Sequence, residues 1–169
     1  MKVEFDIKLQ EKDLFRFNMY HSYHKVSIWI FTLLGVAIFA LSFTTINEIE
    51  ATYTMLYWLC GLIFIFYTPL NLKTTVKFSM KDGSPLSKTL HYEFLADGVV
   101  VNCADDGKKQ TQVAPWTQIY RVVETKHQVL IYTSRVNASV LPKEQIEQLD
   151  LLKEIFKEHL PSYRLKIRK

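Results

Sequence analysis

The chain is short of the residues that most chemistry needs. It has two cysteines, Cys60 and Cys103, and no CxxC spacing, so neither a zinc knuckle nor a dithiol redox site is built into it. Cys60 sits in an apolar run and Cys103 in a strand pattern, which makes two reduced, mostly buried thiols the expectation. The five glycines, Gly35, Gly61, Gly83, Gly98 and Gly107, are scattered, so no phosphate-cradling loop exists, and GxSxG, HExxH and Walker patterns are absent as well. Above all, charge is missing from a long stretch. Between Lys25 and Lys73 no basic residue occurs, and the only charges are Glu48 and Glu50.

What fills that stretch is apolar. Residues 26–46 (VSIWIFTLLGVAIFALSFTTI) and 52–72 (TYTMLYWLCGLIFIFYTPLNL) carry no charge at all. At 1.5 Å per residue each would make a helix of about 31 Å, the thickness of a hydrocarbon core. A helix in a soluble core would show a polar stripe, and neither run has one. A signal peptide is a poor match, because 25 mixed residues precede the first run and a second run follows at once. Two transmembrane helices are therefore predicted, joined by a short external loop at 47–51.

Orientation follows lysine and arginine beside the spans. The loop has none, whereas Lys8, Lys12, Arg16 and Lys25 precede the first run and Lys73, Lys77, Lys81 and Lys88 follow the second. A multi-pass protein of the cell membrane with both termini cytoplasmic is expected. Glu48 and Glu50 read as solvated turn residues, since basic ones there would oppose insertion. Trp29, Tyr53, Tyr57, Trp58 and Tyr67 fall at interface depths, and Pro69 falls in the last turn of the second span. Each span holds one glycine, and an antiparallel hairpin brings Gly35 and Gly61 to similar depth, which predicts a helix crossing there with Ala37 or Ala40 close by.

Outside the spans the pattern is β. KVEFDIKL turns Val3, Phe5, Ile7 and Leu9 to one side and charge to the other, a half-buried strand that needs a partner sheet. QEKDLFRFNMYHSYHK follows as a short amphipathic helix, with Asp13 as the expected N-cap. Strands are predicted at 74–80, 88–95, 99–104, 109–116, 118–125, 129–135 and 138–141, with turn signals at Lys81–Pro85, Ala96–Gly98 and Asp105–Lys108. From Pro142 the period changes: Ile146, Leu149, Leu152, Ile155, Phe156 and Leu160 predict a helix opened by Lys143 and Glu144 and stopped by Pro161. The fold class is α+β: an N-terminal two-helix transmembrane hairpin, then a small antiparallel β-barrel or sheet like that of pleckstrin-homology (PH) domains, capped by a C-terminal helix. The expected layout is 1–25 strand and juxtamembrane helix, 26–46 and 52–72 spans, and 73–169 the β-rich cytoplasmic domain.

The stretch from Trp116 through Glu124, Thr125, Tyr132 and Leu141 to Pro142 and Lys143 resembles the bacterial YcxB-like family, as does the order of two spans before a β-rich domain. The resemblance implies a bacterial membrane protein with a PH-like cytoplasmic domain. It brings no established reaction and no catalytic residues.

Candidate sites are correspondingly few. His21 and His24, beside Tyr20 and Tyr23, have a two-imidazole spacing without a third ligand, so interfacial anchors are the expectation. Glu93 and Asp97 make a weak acid/base pair because Asp97 belongs to a turn, and Trp116 reads as core rather than as a stacking platform. No catalytic, cofactor or metal residue is assigned. The expected partners are the bilayer, anionic headgroups through Arg164, Lys166, Arg168 and Lys169, and a protein partner, a second copy of the chain included. Nucleic acid is not expected, since the 16 basic residues of 73–169 are interleaved with 11 acidic ones. The sequence favours a non-enzymatic, membrane-anchored binding or assembly module over a small membrane enzyme or transporter accessory, because the spans carry no ionisable residue.

Overall fold

The structure, a computed structural model, describes residues 3–46, 49–81, 84–105 and 108–167. Asn47, Glu48, Asp82, Gly83, Asp106, Gly107, Arg168 and Lys169 lie outside the described residues, and with them part of the expected external loop, parts of two expected turns and the end of the basic tail. The chain divides into two units: residues 1–14 with 80–169 form a sheet unit, and residues 15–79 a helical one.

The helical unit holds two long helices, α2 (Val26–Thr44) and α3 (Ala51–Ser79), entered by the end of α1 (Glu11–Ser22). Both are long and apolar enough to cross a membrane, and only 11% and 6% of their apolar windows are buried. A core helix of a soluble protein would be buried over much of its surface, so this exposure fits a membrane protein. Along α2 the buried positions are Gly35 and Ser42; along α3 they are Thr54, Gly61 and Val76. Gly35 and Ser42, like Thr54 and Gly61, stand seven residues apart, so each helix turns a stripe of small residues toward its partner. The contact is reciprocal. A Cβ placed on Gly35 would meet Phe64 Cβ at 2.8 Å, and one on Gly61 would meet Phe39 Cβ at 2.9 Å. The predicted crossing is therefore present, but Ala37 and Ala40 are exposed and Phe39 and Phe64 fill the places expected of them.

α3 corrects two expectations. It runs on to Ser79, through most of the segment 74–80 where alternation predicted a strand, so Pro69 lies inside the helix rather than in its last turn. Extending an existing helix costs little once it is nucleated, and Thr74 Oγ1 bonds back to the Leu70 carbonyl at 3.0 Å.

In the sheet unit, β1 (Val3–Lys8) pairs antiparallel with β2 (Thr89–Leu95), from Val3 opposite Phe94 to Lys8 opposite Thr89. β3 (Gly98–Asp105) and β4 (Lys108–Pro115) complete a four-stranded meander in the order β1-β2-β3-β4. The helical unit is thus an insertion into the connection between two neighbouring strands. Gly98 is required by close approach: a Cβ there would lie 2.5 Å from the Ala114 carbonyl oxygen. The second sheet is ordered β7-β6-β5-β8, from β5 (Arg121–Glu124), β6 (Gln128–Tyr132), β7 (Ala138–Pro142) and β8 (Leu165–Lys166). It is antiparallel except for β8, which adds parallel to β5. Among the described residues no strand pairing joins the two sheets, so the β structure is a pair of sheets and not a closed barrel.

α4 (Leu149–His159) lies against their apolar faces with Leu152, Ile155 and Phe156 buried, and Phe156 meets Phe94 edge-on at 5.8 Å. Ile7, Phe94, Ile119, Val122, Leu130, Tyr132, Leu141 and Leu152 are wholly buried and form the centre of this core. The helix begins later than its periodicity predicted. Lys143–Gln145 form a separate 3-10 turn because their groups are held by other elements: the Lys143 amide donates to the His127 carbonyl, and the Gln145 side chain bonds both the Lys8 amide (2.8 Å) and the Lys8 carbonyl (3.0 Å). Asp13 likewise is not the N-cap of α1. It sits in the first turn and accepts the Gln10 amide at 3.1 Å, the backward half of a capping box.

Candidate functional site

Alternation in four strands sends one set of side chains inward and the other to solvent. On the outward face of the first sheet the register aligns Asp6, His91, Asn102 and Thr111, one residue from each strand. They are joined by hydrogen bonds. His91 Nδ1 donates to Asp6 Oδ1 at 2.6 Å, Thr111 Oγ1 donates to Asn102 Oδ1 at 2.8 Å, and Asn102 Nδ2 donates to Glu93 Oε1 at 3.2 Å. The other imidazole nitrogen, His91 Nε2, stands 3.6 Å from Glu93 Oε1. A cleft of about 610 Å³ opens over this row, lined also by Thr89 and Cys103.

The row is built to accept. His91 Nδ1, Asn102 Nδ2 and Thr111 Oγ1 each donate to an oxygen of the row itself, while the side chains of Asp6 and Glu93 remain 67% and 24% exposed. The cleft can bind donors and cations at its carboxylates. Among the described residues no cluster of histidine, cysteine and carboxylate is suited to a metal.

The candidates singled out in the sequence are dispersed. His24 is tied locally, its Nδ1 donating to the Tyr20 carbonyl at 2.6 Å, while His21 stacks on Phe17 at 6.0 Å. Tyr23 packs edge-on against Trp29, whose Nε1 donates to the Tyr23 carbonyl. Glu93 belongs to the row, whereas Asp97 stays in the turn between β2 and β3. Trp116 is core: it is buried, stacks on His159 at 4.8 Å, and donates Nε1 to the Leu95 carbonyl. Arg164 donates to the Ile119 carbonyl at 3.0 Å, and Lys166 lies in β8, so the tail to residue 166 is docked on the second sheet. Arg168 and Lys169 lie outside the described residues. Glu50 is exposed, and both cysteines are free thiols and only half-buried.

Sequence reasoning missed two clusters. One is the outward row, whose members come from segments up to 105 positions apart and meet only through register. The other is an ion cluster around Glu124. This carboxylate is buried, pairs with Lys143 Nζ, and has Lys153 Nζ at 3.3 Å. The motif residues now have structural roles. Thr125 closes the β5–β6 turn through Gln128, Tyr132 is buried beneath the Arg121 guanidinium (4.4 Å to the ring centre), and Lys143 neutralises Glu124. On the inward face of the first sheet Tyr92 is buried. That burial pushes its phenol above the usual value of 10.0, against a smaller opposing effect from its hydrogen bond with Ser139.

Comparison with known proteins gives one match. Residues 94–156 fit the family model described as YcxB-like protein, a segment that runs from within β2 to the middle of α4. No curated protein and no solved structure matches.

Proposed function

We infer, for a chain whose residues 94–156 are a YcxB-like domain, that the protein is a non-enzymatic membrane-anchored module: a hairpin in the cell membrane carrying a PH-like cytoplasmic domain that binds or assembles a partner. One observation carries the reading. The helical unit is spliced between Lys8 and Thr89, which are paired neighbours in adjacent strands. A folded sheet lies on one side of a membrane, so the chain must leave and return on that side and cross an even number of times. Two helices of spanning length satisfy this. The lysine- and arginine-free turn between them faces outward, and the sheet unit faces the cytoplasm.

Two four-stranded sheets with a C-terminal helix against them support the PH-like reading. The exposed acceptor row across the first sheet is the surface offered to a partner with donor or cationic groups. The absence of Asp, Glu, His, Lys and Arg from 26–46 and 52–72 speaks against a transporter role.

Impermeant maleimide labelling of single cysteines tests the topology. Glu50→Cys should label in intact cells, and Tyr163→Cys, at a position 81% exposed, only after lysis. The opposite pattern would place the sheet unit outside. Affinity capture from solubilised membranes, wild type against Asp6→Asn/Glu93→Gln, tests the row: a partner lost from the variant supports it, and an unchanged set of captured proteins removes it.

A further inference from the structure

The two sheets of the sheet unit have four end strands, and these are not equally protected. On β1 the Gln145 side chain takes both the amide and the carbonyl of Lys8, and Glu4, Asp6 and Lys8 put exposed charge along the strand. β8 is two residues long. Charge and brevity keep a sheet edge from pairing further. β4 and β7, the other two end strands, lack such protection over their middles: residues 110–114 and 138–141 hold no charge and no proline.

These two edges flank one cleft of about 520 Å³. Val101, Gln112 and Ala114 line it from the first sheet, and Thr133, Ala138 and Ser139 from the second. Among the described residues no charged side chain lines it. The core is open along this side. Phe5, Tyr92, Val101 and Gln112 form one row across the inward face of the first sheet, and Tyr92 is buried whereas Gln112 is exposed. At the opposite edge β1 buries its inward Val3 and Ile7. Ser139 is hydrogen-bonded to Tyr92, which ties the cleft to the core behind it.

We propose that this cleft binds one extended segment of a partner protein, which lies as a strand between β4 and β7. An end strand turns alternate amides and carbonyls outward, and those groups require partners. A strand supplies them along its whole length, whereas a helix spends its backbone groups on itself. A single strand also has two edges and so meets both walls. A second copy of this chain could offer only a strand already paired on one side, and would reach one wall alone. The uncharged lining selects uncharged side chains at the alternate positions that turn inward, and Ala114 and Ala138 select small or β-branched ones. The cleft is distinct from the acceptor row, which crosses the outward face of the first sheet.

Phage display of random short peptides on the full chain, purified in a mild non-ionic detergent, tests the proposal. Ala138→Trp, which puts an indole into the cleft, serves as the counter-selection. Peptides enriched on the wild type should be uncharged, with small or β-branched residues at alternate positions. A synthetic copy of the most enriched peptide should slow amide exchange roughly tenfold or more in the middles of both β4 and β7, and far less in β1. N-methylation of its alternate amides, in either register, should abolish binding, because one register serves β4 and the other β7. No enrichment over the variant, enriched peptides that are charged at the alternate positions, slowed exchange in one of the two strands only, or binding that survives N-methylation would each overturn the site. Should Ala138→Trp fail to fold by circular dichroism, the exchange pattern of the wild type decides alone.

Discussion

Gly35 and Gly61 face each other across the hairpin: a Cβ on either would lie 3.0 Å from the carbonyl oxygen of the other. Neither helix has room for a larger residue at that depth, and in lipid such close packing is much of what holds two helices together. Gly35→Ile or Gly61→Ile should separate them and destabilise the hairpin by about 1–3 kcal/mol. Ala37→Ile, on the exposed side, should have no effect beyond experimental error. Thermal unfolding in detergent checks the contrast, and equal effects at 35 and 37 would remove the crossing.

The strand before the hairpin and the strand after it form one ladder, with Ile7 wholly buried between Leu90 and the core. Ile7→Ala should cost about 2–5 kcal/mol. Deleting residues 1–8 should unpair the edge of β2, raising amide exchange in Thr89–Leu95 far more than in Gln128–Tyr132 of the other sheet. Unchanged exchange in β2 would show that β1 is dispensable.

The elements whose residues obey one period were legible in the sequence. The two charge-free runs gave α2 and α3, the alternation of Val3, Phe5 and Ile7 gave β1, and the heptad-like spacing from Leu149 to Phe156 gave α4. What failed were decisions made by tertiary contacts. Residues 74–80 have the alternation of a strand but continue α3 as far as Ser79, and Lys143 to Gln145 have helical spacing but are held by His127, Glu124 and Lys8. The outward row was invisible for the same reason. That Asp6 faces solvent follows from alternation, but that it meets His91 follows only from register across an insertion of some eighty residues.

Glu124 is a buried carboxylate that draws lysines from two different elements, Lys143 after β7 and Lys153 in α4. Replacing both lysines by methionine leaves that carboxylate without its cations and should cost about 3–5 kcal/mol. Adding Glu124→Leu to the same variant should recover much of the loss, because a buried ion cluster and an apolar one of similar volume differ little in stability. Urea unfolding followed by Trp116 fluorescence, with Trp29 and Trp58 replaced by phenylalanine, reads both steps. A triple variant no more stable than the double would mean that the cluster acts through packing rather than charge.

Tyr92 gives the sheet unit a pH dependence of known sign. Burial holds its phenol above the usual 10.0, so the folded unit keeps this proton more tightly than the unfolded chain does. A raised folded value contributes stability that is fully present below the unfolded value near 10 and is lost as pH climbs from there through the folded one. The sheet unit should therefore be insensitive to Tyr92 at neutral pH and weaken above about pH 10, where only the unfolded chain ionises freely. Tyr92→Phe should flatten that alkaline decline while lowering stability at pH 7 by about 1 kcal/mol, since the hydrogen bond to Ser139 is lost. Melting temperatures of wild type and variant between pH 7 and 11 decide it. Parallel curves across that range would show that Tyr92 ionises as easily in the folded unit as in the unfolded chain.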